Sequence, residues 1–414
     1  MREQGKHKLA VERLSPFLQQ PHVAVSAAVH AALIHLHIDL GQLARAQELV
    51  KSLAELEPEG YRSPYLMGQI LLRMDLWEKA RDAFRVAVKK DPGMAIAWRE
   101  LLKCFARTGE HPTGLACIQY LANQTWPVKW RRMWIYHRGV LYQQMANYSL
   151  ALVSFAQLVL DCLTEGMPAA APRPSVLSQV PPSAPRTALG DAIDMLERRG
   201  MQPFPSAGTL LGWWREGDFL GHDKDIDIML PAGSDWEQVP TAVADAPEFK
   251  LIPSDMRFSN FVTLQHRATG LVVDITHHED AADGNVGCVW RIPGVPDEQC
   301  RRTQQTAYRL VRDTWLDREF WRPEDPDRFL TDVYGDWRTP MVTFDTVISG
   351  HHLLGYPDSV RCYAYNRMSQ ALMEGDRNKG LSYADQIMRK DPLDPLALEA
   401  RKALSGDRDK EHAS

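Results

Sequence analysis

Residues 205–230 read PSAGTLLGWWREGDFLGHDKDIDIML, and the two ends of this stretch decide how the second half of the chain folds. At the far end Asp223, Asp225 and Asp227 recur every second residue beside Ile226, Ile228 and Leu230. Side chains on a strand alternate between faces, so the spacing predicts a strand over 225–230 with the carboxylates on one face and the aliphatic residues on the other. Like charge at that density is costly without a counter-ion, and the usual occupant is a hard divalent cation that also carries phosphates. Some seventeen residues before Asp223, Ser206-Ala-Gly-Thr209 makes a small-residue turn that opens a helical pattern through Leu210, Leu211 and Trp214. Free backbone N–H groups in such a turn are expected to hold a phosphate. Turn plus acidic strand points to nucleotide chemistry.

Working outward, 414 residues exceed the usual size of one core, so two or more domains are expected. The net charge of -5 shows no basic excess, which argues against nucleic acid as a partner. Six scattered cysteines include no C-x-x-C pair and no zinc spacing, and read as reduced core thiols. The opening MREQGKHKLAVERL has no apolar signal core, and no run of about 18 apolar residues follows. The expectation is a soluble protein without a transmembrane segment, working in the cytoplasm or on the cytoplasmic face of a membrane.

The first part of the chain is periodic. Gly41, Asp75 and Gly109 lie 34 residues apart, as do Pro58 and Pro92, and Ala46 and Ala80. In the copy from Tyr61 to Pro92, Gly68, Leu71, Trp77, Ala80, Phe84 and Ala87 fall where a tetratricopeptide repeat sets its small and large packing residues, and a fourth copy runs through Gly139, Tyr142, Tyr148, Ala151 and Phe155. The resemblance to this repeat family covers about 25–163. Small residues at Gly68 and Ala80 let helix pairs approach, while Trp77 and Phe84 fill the gap between hairpins. The resemblance implies a superhelix whose groove binds a protein or peptide; the alternative is a scaffold that packs only on the rest of the chain.

Residues 164–186 hold Pro168, Pro172, Pro174, Pro181, Pro182 and Pro185 among Ala and Ser, and read as an extended linker. Leu189, Ile193 and Leu196 then mark an amphipathic helix ending at Gly200. Phe261-Val-Thr-Leu264 and Gly270-Leu-Val-Val-Asp-Ile275 read as strands, and 305–335 reads as helical at both ends with Trp-Arg-Pro-Glu-Asp-Pro as a break. Residues 361–392 replay the repeat period, with Gly375 and Ala384 at small or packing positions and Lys390-Asp-Pro392 echoing Lys90-Asp-Pro92. A lone repeat needs something to pack on, either the domain before it or the N-terminal superhelix.

Gly208-Thr-Leu-Leu-Gly212, Arg215, Gly217 and Asp223-Lys-Asp-Ile-Asp227 resemble the LicD/fukutin family, and so do Val273-Asp274-Ile275 and Tyr334-Gly-Asp-Trp337 followed by Pro340. The resemblance spans about 187–345. It implies a nucleotidyltransferase-like α/β (α+β) fold and transfer of a phosphoalcohol, such as phosphocholine or ribitol phosphate, from a CDP-linked alcohol donor to a glycan acceptor with Mg2+ or Mn2+. The whole chain is therefore expected to be multidomain: an all-α tetratricopeptide superhelix (1–163), a Pro/Ala-rich linker (164–186), the nucleotidyltransferase-like domain (187–345) and a short α-helical C-terminal repeat (361–404).

Matched residue by residue, the resemblance implies that Asp225 and Asp227 bind metal, that Asp274 supplies a third carboxylate as ligand or base, and that Ser206, Gly208, Thr209 and Arg215 bind donor phosphate. Asp223 shares the acidic face and is a further metal candidate. Lys224 departs from the acid that many members carry there; strand alternation turns it to the opposite face, which leaves the metal pair intact and puts donor preference in question. His277 and His278 follow the Asp274 strand and are either a base or phosphate contact, or loop surface. Trp213, Trp214 and Trp290 either stack on a base or sugar or belong to the core, and His30, His35 and His37 read as solvated helix surface. Other readings of the same residues are nucleotidyl transfer from an NTP, and an interaction protein whose transferase domain is inactive.

Overall fold

A computed structural model describes residues 2–19, 23–170, 181–221, 223–252, 258–341 and 343–406. Linker positions 171–180, with Pro172 and Pro174, lie outside the described residues. The chain forms two compact units that divide after Leu141. Among the described residues no helix is long and apolar enough to cross a membrane.

The first unit is helical: α1 (Arg2–Leu14), α2 (Val23–Asp39), α3 (Leu43–Leu56), α4 (Arg62–Arg73), α5 (Trp77–Lys90), α6 (Ala95–Thr108), α7 (His111–Ala122) and most of α8 (Val128–Gln144). The 34-residue step is the step of the turns. Gly41, Asp75 and Gly109 take φ of +72°, +56° and +79° between the helices of successive hairpins, a left-handed conformation that glycine adopts at no steric cost. Gly68 is required by packing instead, because a Cβ there would lie 2.6 Å from the Phe84 ring. Ala80, Phe84 and Ala87 are fully buried around that contact. His30 and His37, expected on solvated surface, are buried; their rings bond the Ser26 carbonyl at 2.8 Å and Gln42 Oε1 at 2.6 Å, which satisfies them inside the packing.

In the second unit α9 (Tyr148–Thr164) precedes the Pro-rich stretch, and α10 (Ser183–Glu197) begins inside it. The chain continues through β1 (Phe204–Pro205), α11 (Ala207–Glu216), β2 (Asp225–Leu230), α12 (Gln238–Ala244), β3 (Phe249–Ile252), β4 (Phe261–His266) and β5 (Val272–His277). These strands make one mixed sheet in the order β1-β2-β5-β4-β3, with β2 and β5 parallel and the other neighbours antiparallel. Ile226, Ile228, Val273 and Ile275 are fully buried beneath it with Leu189, Ile193 and Leu196 of α10. A smaller antiparallel sheet follows, made by β6 (Glu279–Asp280), β7 (Val286–Trp290) and β8 (Arg301–Gln305).

Residues 305–335 differ from the helical reading. A hairpin, β9 (Leu310–Trp315) and β10 (Arg318–Pro323), takes the place of the first helix, and only the far end, α13 (Pro326–Tyr334), is helical. Leu316 and Asp317 both take positive φ, the two-residue turn that matches strand twist, and Trp315 stacks on Trp213 with centroids 5.1 Å apart.

After α14 (Thr346–Ser349) the chain ends in α15 (Asp358–Met373), α16 (Arg377–Lys390) and α17 (Pro395–Ser405). Of the two supports considered for this repeat, it uses both a repeat helix and the α/β domain before it. Helix α15 packs on α9, and Asn366 bonds Gln143 at 2.8 Å. On the other side Tyr383 and Tyr363 donate to Asp345 at 2.9 and 3.3 Å, and Gln386 bonds Ser349. Gly375 is the turn residue of this hairpin, with φ +76°, and a Cβ on it would lie 2.1 Å from the Pro168 carbonyl oxygen.

Candidate functional site

Strand β2 does what its alternation demands: Ile226 and Ile228 are fully buried and Asp225 and Asp227 half-buried on the other face. Asp223 lies just before the strand. Its carboxylate gathers with those of Asp225 and Asp227, each offering an oxygen within 4.8 Å of the others. On the parallel neighbour β5, Asp274 pairs in register with Asp227, and Thr263 of β4 pairs with Asp274 and donates to its Oδ1 at 2.7 Å.

The Ser206–Thr209 turn sits at the mouth of α11, and its polar groups grip β2. The Ser206 N–H donates to the Asp227 carbonyl at 3.0 Å, and the Gly208 N–H to Asp227 Oδ2 at 3.2 Å. The Asp227 N–H in turn donates to the Thr209 hydroxyl at 2.9 Å. This corrects the expectation of a turn of free N–H groups, since two of them are taken by Asp227. Ala207 is held at φ +41°, a strained conformation for a residue with a Cβ, and a Cβ on Gly208 would lie 2.3 Å from Asp223 Oδ2. Turn and carboxylates are one unit.

The electrostatics are unbalanced. Burial first, then the charge of Asp225, raises Asp223 to about 7, and the same causes push Asp227 well above the usual carboxylate range. Burial likewise raises Asp274 to about 6, against the opposing bond from Thr263. Lys224 is exposed and its ammonium stands 3.9 Å from Asp225. It therefore pairs with the acidic face, not with the opposite one, because it precedes the strand and escapes its alternation. Clustered, desolvated oxygens with one distant cation are a donor set that fits a hard divalent ion.

Arg215 is largely committed: its guanidinium bonds Glu216 at 2.8 Å and the Trp337 carbonyl at 3.1 Å. That second bond ties α11 to the Tyr334–Trp337 segment. Tyr334 is half-buried there, and its hydroxyl is pushed far up by desolvation and by the charges of Asp227 and Asp223. Sequence reasoning quoted Tyr334 without a role and did not single out Thr263; alternation along 261–264 was the available signal for Thr263.

The histidines lie apart from this chemistry. His277, three residues beyond Asp274, falls on the other face of β5, stacks on Trp236 at 4.7 Å and reaches Glu279 at 3.4 Å. His278 is buried against the Tyr308 hydroxyl at 2.7 Å and lowered to about 3 by burial, so it stays neutral. Trp213 and Trp290 are core residues, while Trp214 is partly buried and donates to Asp327 at 3.3 Å.

Residues 200–292 match the family described as LicD/FKTN/FKRP, nucleotidyltransferase domain, and residues 31–95 and 65–122 match a tetratricopeptide repeat. The Tyr334–Trp337 segment lies beyond the matched range. No curated protein matches the chain. Among solved structures, MamA is 18% identical over 40% of this chain and 93% of its own, with a TM-score of 0.34. YrrB, described as a TPR protein with an unusual peptide-binding site, is 15% identical over 35% of this chain and 73% of its own, with a TM-score of 0.31. The lincosamide antibiotic adenylyltransferase LnuA, solved with lincomycin bound, is 18% identical over 34% of this chain and 82% of its own, with a TM-score of 0.26. The chain carries a LicD-type nucleotidyltransferase domain preceded by tetratricopeptide repeats.

Proposed function

We propose that this domain is a metal-dependent transferase that moves a phosphoalcohol, phosphocholine- or ribitol-phosphate-like, from a CDP-activated donor to a glycan hydroxyl, while the repeats bind a protein or peptide partner. The observation that carries the reading is the gathering of Asp223, Asp225 and Asp227 within 4.8 Å beside a helix-opening turn. Those three carboxylates would hold Mg2+ or Mn2+, which when bound neutralises phosphate oxygens and eases departure of the leaving group.

The chain's own residues supply the rest. Gly208 and Thr209 fix the orientation of Asp227, and Arg215 ties α11 to the segment that carries Tyr334 through the Trp337 carbonyl. Tyr334 keeps its proton and so offers a donor to a phosphate oxygen. Asp274, raised to about 6, is still ionised at neutral pH and more basic than a solvated carboxylate. As the acceptor oxygen attacks phosphorus, Asp274 takes the hydroxyl proton and the bond to CMP breaks, CMP leaving with the electron pair.

The test is product analysis of the full chain with CDP-choline or CDP-ribitol, Mg2+ and a glycan mixture. CMP release that Asp227→Asn abolishes is expected. Pyrophosphate release from CTP or ATP, with no CMP from either CDP-alcohol, would contradict the reading and assign nucleotidyl transfer.

A further inference from the structure

The C-terminal hairpin contributes a cavity that the transferase chemistry described so far does not use. It has a volume of about 220 Å³ and opens between α16 and the segment that follows Trp337. Ser349 and Thr343 stand on one wall, and Asn378, Ser382, Asp385 and Arg389 on the other. Met341 and Leu381 add an apolar patch. Gln386 locks the walls together: its amide donates to the Thr343 carbonyl at 3.3 Å and bonds Ser382 at 3.0 Å, while its carbonyl oxygen accepts from Ser349. The shape is thus set before any ligand arrives.

The lining chemistry selects a class of ligand. Hydroxyls, an amide, one carboxylate (Asp385) and one guanidinium (Arg389) line it, and Asp385 also pairs with Arg401 outside the lining at 2.8 Å. An anion site needs a cationic surplus and a lipid site needs a mainly apolar wall. Mixed donors and acceptors around a small apolar patch suit a neutral polyol, whose hydroxyls bond planar side chains while its C–H face rests on aliphatic atoms.

One wall runs back towards the carboxylates. Phe344, next to Thr343, packs on Tyr334 with ring centroids 4.9 Å apart, and Tyr334 feels the charges of Asp227 and Asp223.

We infer that this cavity is a saccharide subsite on the acceptor side of the transferase site, built jointly by the C-terminal repeat and the segment after Trp337; the acceptor role rests on the function proposed above. The repeat is then part of the substrate site and not only a support.

The experiment is saturation-transfer NMR on the full chain with methyl glucoside, methyl galactoside and methyl N-acetylglucosaminide, alongside calorimetric titration of CDP with Mg2+. Ser382→Trp fills the cavity, and Arg389→Ala removes one donor at an exposed position without adding bulk. At least one glycoside is expected to give a signal that falls more than fivefold in both variants, with the CDP affinity unchanged. No glycoside signal from the wild-type chain, a signal that persists in both variants, or joint loss of glycoside and CDP in both would overturn the subsite. Glycoside binding lost in the variants, with no CDP binding even in the wild type, would instead overturn the transferase reading and leave the saccharide cavity standing.

Discussion

Gly68 and Gly208 are both glycines that a methyl group would disturb, for opposite reasons. At Gly68 an added Cβ meets the Phe84 ring at 2.6 Å, so the glycine lets two helices close on apolar surface. At Gly208 it meets Asp223 Oδ2 at 2.3 Å, so the glycine lets a charge close on a turn. The first contact contributes to stability. The second crowds carboxylates whose charged forms burial disfavours, so the transferase domain holds a costly arrangement that the repeats have no use for.

Gly208→Ala should give the largest effect on function. Displacing Asp223 and the turn should lower turnover about 100-fold, the usual cost of a small misplacement in a catalytic site, with little change in melting temperature. Gly68→Ala should do the reverse, destabilising the repeats by about 1–3 kcal/mol in urea unfolding while turnover per folded molecule stays constant. If Gly68→Ala impairs turnover as strongly as Gly208→Ala, the contrast fails.

A third test uses pH on the metal-free chain. Below the ordinary carboxylate value of 3.8, Asp223 is protonated whether folded or not; as pH rises towards 7 the unfolded chain loses the proton first. The folded state therefore loses stability across that window, fully so above about 7. Asp223→Asn should stabilise the metal-free protein by on the order of 1 kcal/mol at pH 8 and by nothing measurable near pH 3.5, a figure kept small for solvent screening. Equal stabilisation at both pH values would show that charge is not the cause. The smallest effect concerns a turn: Ala146 takes φ +55° where two other copies carry Gly41 and Gly109, so Ala146→Gly should stabilise the chain by about 1 kcal/mol. Destabilisation would mean that this turn is held by something other than backbone preference.

Steric and alternating constraints were legible in the sequence because they are local. The positive-φ turns at Gly41, Asp75 and Gly109 wrote the 34-residue period, and Ile226 and Ile228 wrote the face of β2. The hairpin over 310–323 escaped because its turn, Leu316-Asp317, takes positive φ without glycine. The site was legible as a set of acids but not as a mechanism of support. That Ser206, Gly208 and Thr209 brace Asp227 and that Arg215 reaches Trp337 depend on tertiary contacts over 18 to 122 residues, which no local pattern records.

The most direct test of the central claim, that the braced carboxylates form a metal-dependent nucleotide site, is thermal stabilisation of the full chain by CDP with and without Mg2+, beside an Asp225→Asn/Asp227→Asn variant. At about 100 times its dissociation constant, CDP should add roughly 2.7 kcal/mol only when Mg2+ is present, and nothing in the variant. Equal stabilisation without Mg2+, or in the variant, would contradict the claim.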